Sequence, residues 1–151
     1  MDIHRDAPVV ATYEAFIDAP RSVVWTVQSE LDAWPAWNPD VSSLHLSGPL
    51  APGTEFRWKS GGLPIRSVLR EVEPERRIGW TGRAPLGIRA VHTWSFASKD
   101  GGTLVRTEES FEGLIARVLS GPMQRMLEDA LQKGVAALKV EAERRAKVET
   151  T

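Results

Sequence analysis

The chain has 151 residues, 42% of them hydrophobic and 26% charged, with a net charge of −1; this suits one domain with room for a sizeable core and lacks the basic excess of a nucleic-acid binder. There is no cysteine, which excludes disulfides, thiolate nucleophiles and zinc–thiolate sites. The N-terminus holds no apolar run long enough for a signal peptide, and no segment approaches the ~18 apolar residues of a membrane span, so a cytoplasmic protein is expected.

The first element is VVATYEAFID (9–18), where Tyr13, Ala15 and Ile17 alternate with polar neighbours as in a strand. Pro20 then stands where a first-turn helix proline belongs. Val23, Val24, Val27 and Leu31 fall on one helical face, with Trp25 on its flank. A second short helix, LDAW, is expected to stop near Pro35, because proline disfavours helix for the residue before it. Pro39 pushes Asn38 toward extended geometry in the same way.

From residue 41 the period becomes two. VSSLHLS is a weak strand. TEFRWKS is a clear one, with Phe56 and Trp58 on one side and Glu55, Arg57 and Lys59 on the other. Gly61-Gly62 marks a turn before PIRSVLREVE and RRIGWTG. The register of that pair is ambiguous, since both faces of 65–72 carry apolar residues. IRAVHTWSFAS and GTLVRTEESFEG follow, joined by Asp100-Gly101, a strong signal for a two-residue hairpin turn. Residues 114–120 suit one or two helical turns, and Gly121-Pro122 breaks or restarts the chain. Met123, Met126, Leu127, Ala130, Leu131, Val135, Leu138 and Ala142 then form a long apolar stripe. The order is strand, two short helices, six strands in a meander and one long helix, the only element able to cover the sheet. A single domain over 1–151 is expected, with 1–8 and about 146–151 frayed.

Charge is uneven. Residues 54–93 hold eight Lys/Arg against four Glu, whereas residues 1–53 hold two basic residues against seven acidic ones. Solvated strand faces or an anion-attracting rim both fit.

Three segments carry a resemblance: IDAPRSVVWTVQSELDAWPAWNPDV, HTWSFASKDGGTLVRTEESFEG and the closing helix. On them the sequence resembles the SRPBCC, or START/Bet v 1-like, superfamily, in its polyketide cyclase/dehydrase-like branch. The resemblance implies an α+β helix-grip fold. A curved seven-stranded antiparallel sheet with two short helices would wrap the long C-terminal helix and enclose a cavity. It is specific for fold and poor for function.

In that fold the turn WPAWNPDV (34–41) closes one end of the sheet. Trp34 and Trp37 project to nearly the same side, as a plug or, for Trp37, in contact with a ligand. With Asp100-Gly101 as the loop, cross-strand pairs sum to 201: Phe96 faces Val105, Trp94 faces Thr107, His92 faces Glu109 and Ala90 faces Phe111. This set marks the concave face, while Arg89, Thr93, Ser95, Arg106, Glu108 and Ser110 point outward. His92 and Glu109 are thus the candidate chemical pair, either an acid/base couple or a satisfied polar pair that sets the register and orients a ligand. Tyr13, Phe56, Trp58, Trp80, Trp94 and Phe111 are the candidate aromatic lining. Trp37, Thr107, Met126, Leu127 and Leu131 complete the cavity wall, Met123 and Met126 serving as core or as a pliable wall.

His4, His45 and His92 sit on separate elements, so no metal site is expected, and no cofactor motif appears. The leading reading is a cavity for a small hydrophobic or aromatic molecule. The alternatives are a cyclase or dehydratase using His92 and Glu109, and a chaperone-activator-like module docking through its basic strands. No nucleic acid and no membrane span are expected, in a monomer or homodimer.

Overall fold

The computed structural model describes residues 1–149. Seven strands form one antiparallel sheet: β1 (Val9–Ile17), β2 (Val41–Leu46), β3 (Glu55–Ser60), β4 (Leu63–Glu73), β5 (Arg77–Ala84), β6 (Ile88–Lys99) and β7 (Gly102–Glu112). Their spatial order is β1-β7-β6-β5-β4-β3-β2, a meander from β2 to β7 with β1 added beside β7. The helices are α1 (Arg21–Ser29), α2 (Trp34–Trp37), α3 (Leu114–Val118) and α4 (Ser120–Glu149). This is the expected helix-grip arrangement, with α4 laid along one face of the sheet.

The apolar stripe of α4 buries Met123, Leu127, Leu131, Val135, Leu138 and Ala142 at spacings of three and four. Met126 and Ala130, expected in that stripe, are exposed. They lie on its flank, where no element covers the helix, because α4 leans mainly on β1 and α1 rather than on the centre of the sheet. The helix runs to Glu149, so the tail expected to fray from about 146 is helical as far as it is described, and residues 150 and 151 lie outside the described range. Gly121 and Pro122 fall in the first turn of α4, where a missing proline N–H costs nothing.

The expected stop at Pro35 is not where the helix ends. Leu31–Ala33 is a single 3-10 turn, and Pro35 sits inside the first turn of α2. The chain leaves the helix at Asn38, extended at φ −105° and ψ 107°, immediately before Pro39. Of the two prolines, the second is the terminator because the first arrives where a new helix is starting.

The ambiguous register of β4 is resolved by a bulge between Leu69 and Glu71. The extra residue lets Leu69 and Val72, three apart, both reach the core. At the last hairpin Asp100 and Gly101 take φ of 48° and 81°, as a two-residue primed turn requires. The pairing is the expected one, from Lys99 with Gly102 to Ala90 with Phe111.

The outward residues Thr93 and Ser110 are buried, contrary to a solvated face. The segment before β1, expected to fray, lies over them. Ile3 is 5% exposed, the His4 N–H donates to Ser110 Oγ at 3.1 Å, and the Arg5 guanidinium reaches Glu108 at 2.9 Å.

Candidate functional site

Between α4, α2 and the inner face of β3–β7 lies a cavity of about 360 Å³. It exists because α4 rests on the β1 side of the sheet, and the side chains of β4 to β6 do not fill the remaining space. Five of the six tryptophans line it: Trp34, Trp37, Trp58, Trp80 and Trp94. Trp34 is 3% exposed and stands edge-on to Phe56 and Trp58, with ring centroids at 6.3 and 5.6 Å. Its Nε1–H donates to the Gln28 carbonyl at 2.9 Å. Trp34 is therefore both the end plug and part of the wall. Trp37 is half-buried beside it.

Trp58 Nε1–H donates to Ser67 Oγ at 3.1 Å. The indole N–H groups of Trp37 and Trp94 are buried with no hydrogen-bond partner among the described residues. Each such donor costs about 1–3 kcal/mol while unpaired.

His92 and Glu109 face each other across β6 and β7 and both line the cavity. His92 Nδ1 lies 3.3 Å from Glu109 Oε1, with side chains only 10% and 15% exposed. His92 Nε2 lies 2.8 Å from Thr107 Oγ1, and that hydroxyl donates to the Thr93 carbonyl at 3.1 Å. The single hydroxyl proton of Thr107 is thereby committed, so Thr107 accepts from His92 Nε2–H. In the neutral imidazole, Nδ1 then offers a lone pair to Glu109. Burial drives both groups neutral: it pushes the Glu109 carboxyl up to about 8 and the His92 imidazole down to about 3. At neutral pH the pair holds one proton on the carboxyl, poised between carboxyl and ring.

Most of the expected wall residues are at the cavity: Trp37, Trp58, Trp80, His92, Trp94, Glu109, Phe111, Met126, Leu127 and Leu131. Three are not. Phe56 is fully buried under Trp34, Trp58 and Trp80. Tyr13 packs between the two apolar clusters of the core. Thr107 is fully buried behind His92, acting on it rather than on the cavity.

Sequence reasoning missed the inner-face residues Ile65, Ala84 and Ile88. The alternation that places Trp58 inside extends across the sheet to them, so the signal was present. It also missed the outer lining, where Gly61 and Leu63 from the β3–β4 turn meet Asp40, Asp129 and Lys133. Lys133 pairs with Asp129 at 2.8 Å and feels Asp40 from across the opening. No local pattern marks such residues. The three histidines stay apart, His4 facing Glu112 at 3.9 Å and His45 exposed on β2. Among the described residues no group of three or more His, Asp or Glu is placed to hold a metal ion.

Residues 8–143 match the family model described as polyketide cyclase/dehydrase and lipid transport. Among solved structures, a hypothetical protein from Helicobacter pylori superposes with a TM-score of 0.83 at 15% identity, over 94% of this chain and 96% of that one. A START superfamily protein from Mycobacterium smegmatis gives 0.74 at 15% identity, over 89% and 97%. The di-domain ARO/CYC StfQ of the steffimycin biosynthetic pathway gives 0.73 at 18% identity, over 93% of this chain and 53% of that one. At these identities the likeness is one of fold. No curated protein matches the sequence.

Proposed function

This chain belongs to the polyketide cyclase/dehydrase and lipid transport family, and on that premise we propose that it binds a small aromatic or apolar molecule carrying an oxygen function. The observation that carries this reading is the concentration of five tryptophans on one cavity of about 360 Å³. Indole walls contribute large apolar contact area and stacking faces. The polar groups among them are few, as in pockets that orient a ligand rather than solvate it. A ligand oxygen that accepts from the Trp37 or Trp94 N–H satisfies a donor that the protein alone leaves unpaired, and the neutral Glu109 carboxyl, which also lines the cavity, offers a further polar contact.

Native mass spectrometry of freshly purified protein tests this, the expected result being a co-purifying small molecule released on denaturation. Displacement of an anilinonaphthalene fluorophore is the second arm. Fluorophore binding that is absent, or unchanged in Trp37→Ala and Trp94→Phe, would count against the cavity as the binding site.

A second reading is favoured by the His92–Glu109 geometry. A carboxyl that carries its proton at neutral pH beside an unprotonated imidazole Nδ1 is a general acid and a general base within hydrogen-bond reach. In a cavity that holds a folded substrate, the pair would move a proton during a cyclisation or dehydration. Turnover abolished by Glu109→Gln with binding retained supports it, whereas unchanged turnover removes it.

A further inference from the structure

Across the convex face, His45, Arg57, Arg66, Arg83, Arg89 and Glu112 occupy one cross-strand row, each the register partner of the next. Four arginines therefore stand side by side on four adjacent strands, within roughly 15 Å at a strand spacing of about 4.8 Å. Like charges placed directly opposite destabilise a sheet. All four side chains are exposed, and no guanidinium among them has an ion-pair or hydrogen-bond partner among the described residues. Arg70 borders the same groove, bonded to Thr81 Oγ1 at 3.0 Å. Two carboxylates, Glu55 and Glu112, also border it. Five arginines against these two carboxylates leave the groove with a cationic excess.

The row lies just behind an apolar rim. Leu63 opens β4 three residues before Arg66, and Leu86 lies three residues from both Arg83 and Arg89. Leu86 is 76% exposed, Leu114 74% and Leu63 44%. Leu86 also holds φ at 67°, a left-handed conformation that leucine rarely adopts. Gly113 abuts Gly87, a Cβ there falling 2.6 Å from the Gly87 carbonyl, so Leu114 stands beside the 85–87 turn. Leu63 is itself a lining residue of the cavity, so the rim borders the opening. Three residues of strand span about 10 Å, comparable to the roughly 5–10 Å to which apolar groups sink at a bilayer boundary.

We propose that this end of the protein docks on an anionic lipid bilayer, with Leu63, Leu86 and Leu114 entering the interface and the arginine row meeting the headgroups. An acidic protein surface would match the arginines and leave the leucines in water. A bilayer with anionic headgroups matches both features, its charged and apolar layers lying within about 10 Å of each other. The proposal stands on the outer surface and does not depend on what the cavity holds.

Vesicle flotation tests it, with phosphatidylcholine alone and with added phosphatidylglycerol. The protein should float with the anionic vesicles only, and rising salt should release it. At roughly five-fold per arginine, Arg66→Ala/Arg83→Ala should lower partitioning about 25-fold. Leu86→Asp should lower it at every salt concentration. Neither variant should melt below the wild type, since removing opposed like charges relieves repulsion in the sheet and Leu86 is an exposed side chain outside the core. Failure of the wild-type protein to float with anionic vesicles overturns the proposal. Equal flotation of the double-arginine variant does the same. So does capture by immobilised polyglutamate without vesicle binding, which would assign the face to an acidic macromolecule.

Discussion

His92 and Glu109 make stability depend on pH in opposite directions. Glu109 holds its proton to about 8 in the fold, against an ordinary value of 4.5. Its contribution is complete below 4.5 and is lost as pH rises through 8, because the unfolded chain has by then released a proton that the native state keeps. His92 refuses a proton down to about 3, against an ordinary 6.5. Its contribution is complete above 6.5 and is lost as pH falls through 3. Between 4.5 and 6.5 the two slopes oppose each other. Chemical denaturation across pH should therefore show a plateau there with a fall on each side. The fall should be smaller in His92→Phe/Glu109→Leu, and Glu109→Gln alone should remove the alkaline limb. The same pair should be non-additive at a single pH. Either single substitution leaves a buried partner unsatisfied at about 1–3 kcal/mol, so the double variant should lose less than the sum. Additive losses would mean that the two side chains do not interact.

At the scale of the element, α2 and α4 each present a pair of like residues with different surroundings. Trp34 is hydrogen-bonded and packed on three aromatic rings, whereas Trp37 is half-buried with an unpaired N–H. Trp34→Ala should cost about 3–5 kcal/mol of stability. Trp37→Ala should cost less and should weaken fluorophore binding more, read by thermal melting and titration on the same samples. On α4, Leu138 is fully buried in the main core and Leu131 borders the cavity. Within the usual range of about 2–5 kcal/mol for Leu→Ala, Leu138→Ala should fall at the upper end. Leu131→Ala should fall at the lower end, because part of its side chain already faces space.

For the whole molecule, α4 is the longest element packed on the inner face of the sheet, and its stripe contributes to both apolar clusters. A chain truncated at Gly121 would present that face of the sheet to water. It should aggregate or lack a cooperative melt by circular dichroism, and a soluble, cooperatively melting truncated chain would contradict the architecture.

Much of this was legible in one dimension. Period-two alternation marks the clearest strands, the Asp100-Gly101 turn sets the β6–β7 register, and that register puts His92 opposite Glu109. These are local rules: a turn type and a side-chain period leave little freedom. Where local rules competed, tertiary structure decided. Pro35 reads as a stop by its effect on the preceding residue, yet the chain used it to start α2. The β4 register was undecidable until a bulge at Arg70 let Leu69 and Val72 share a face. The N-terminal segment reads as polar and loose, and only packing on the convex side shows Ile3 buried. The cavity itself depends on where α4 rests relative to a curved sheet, which no sequence period encodes. Alternation gives the face a residue points to, but not whether another side chain already fills the space. For that reason Phe56 belongs to the core while Trp58, two residues on, lines the cavity.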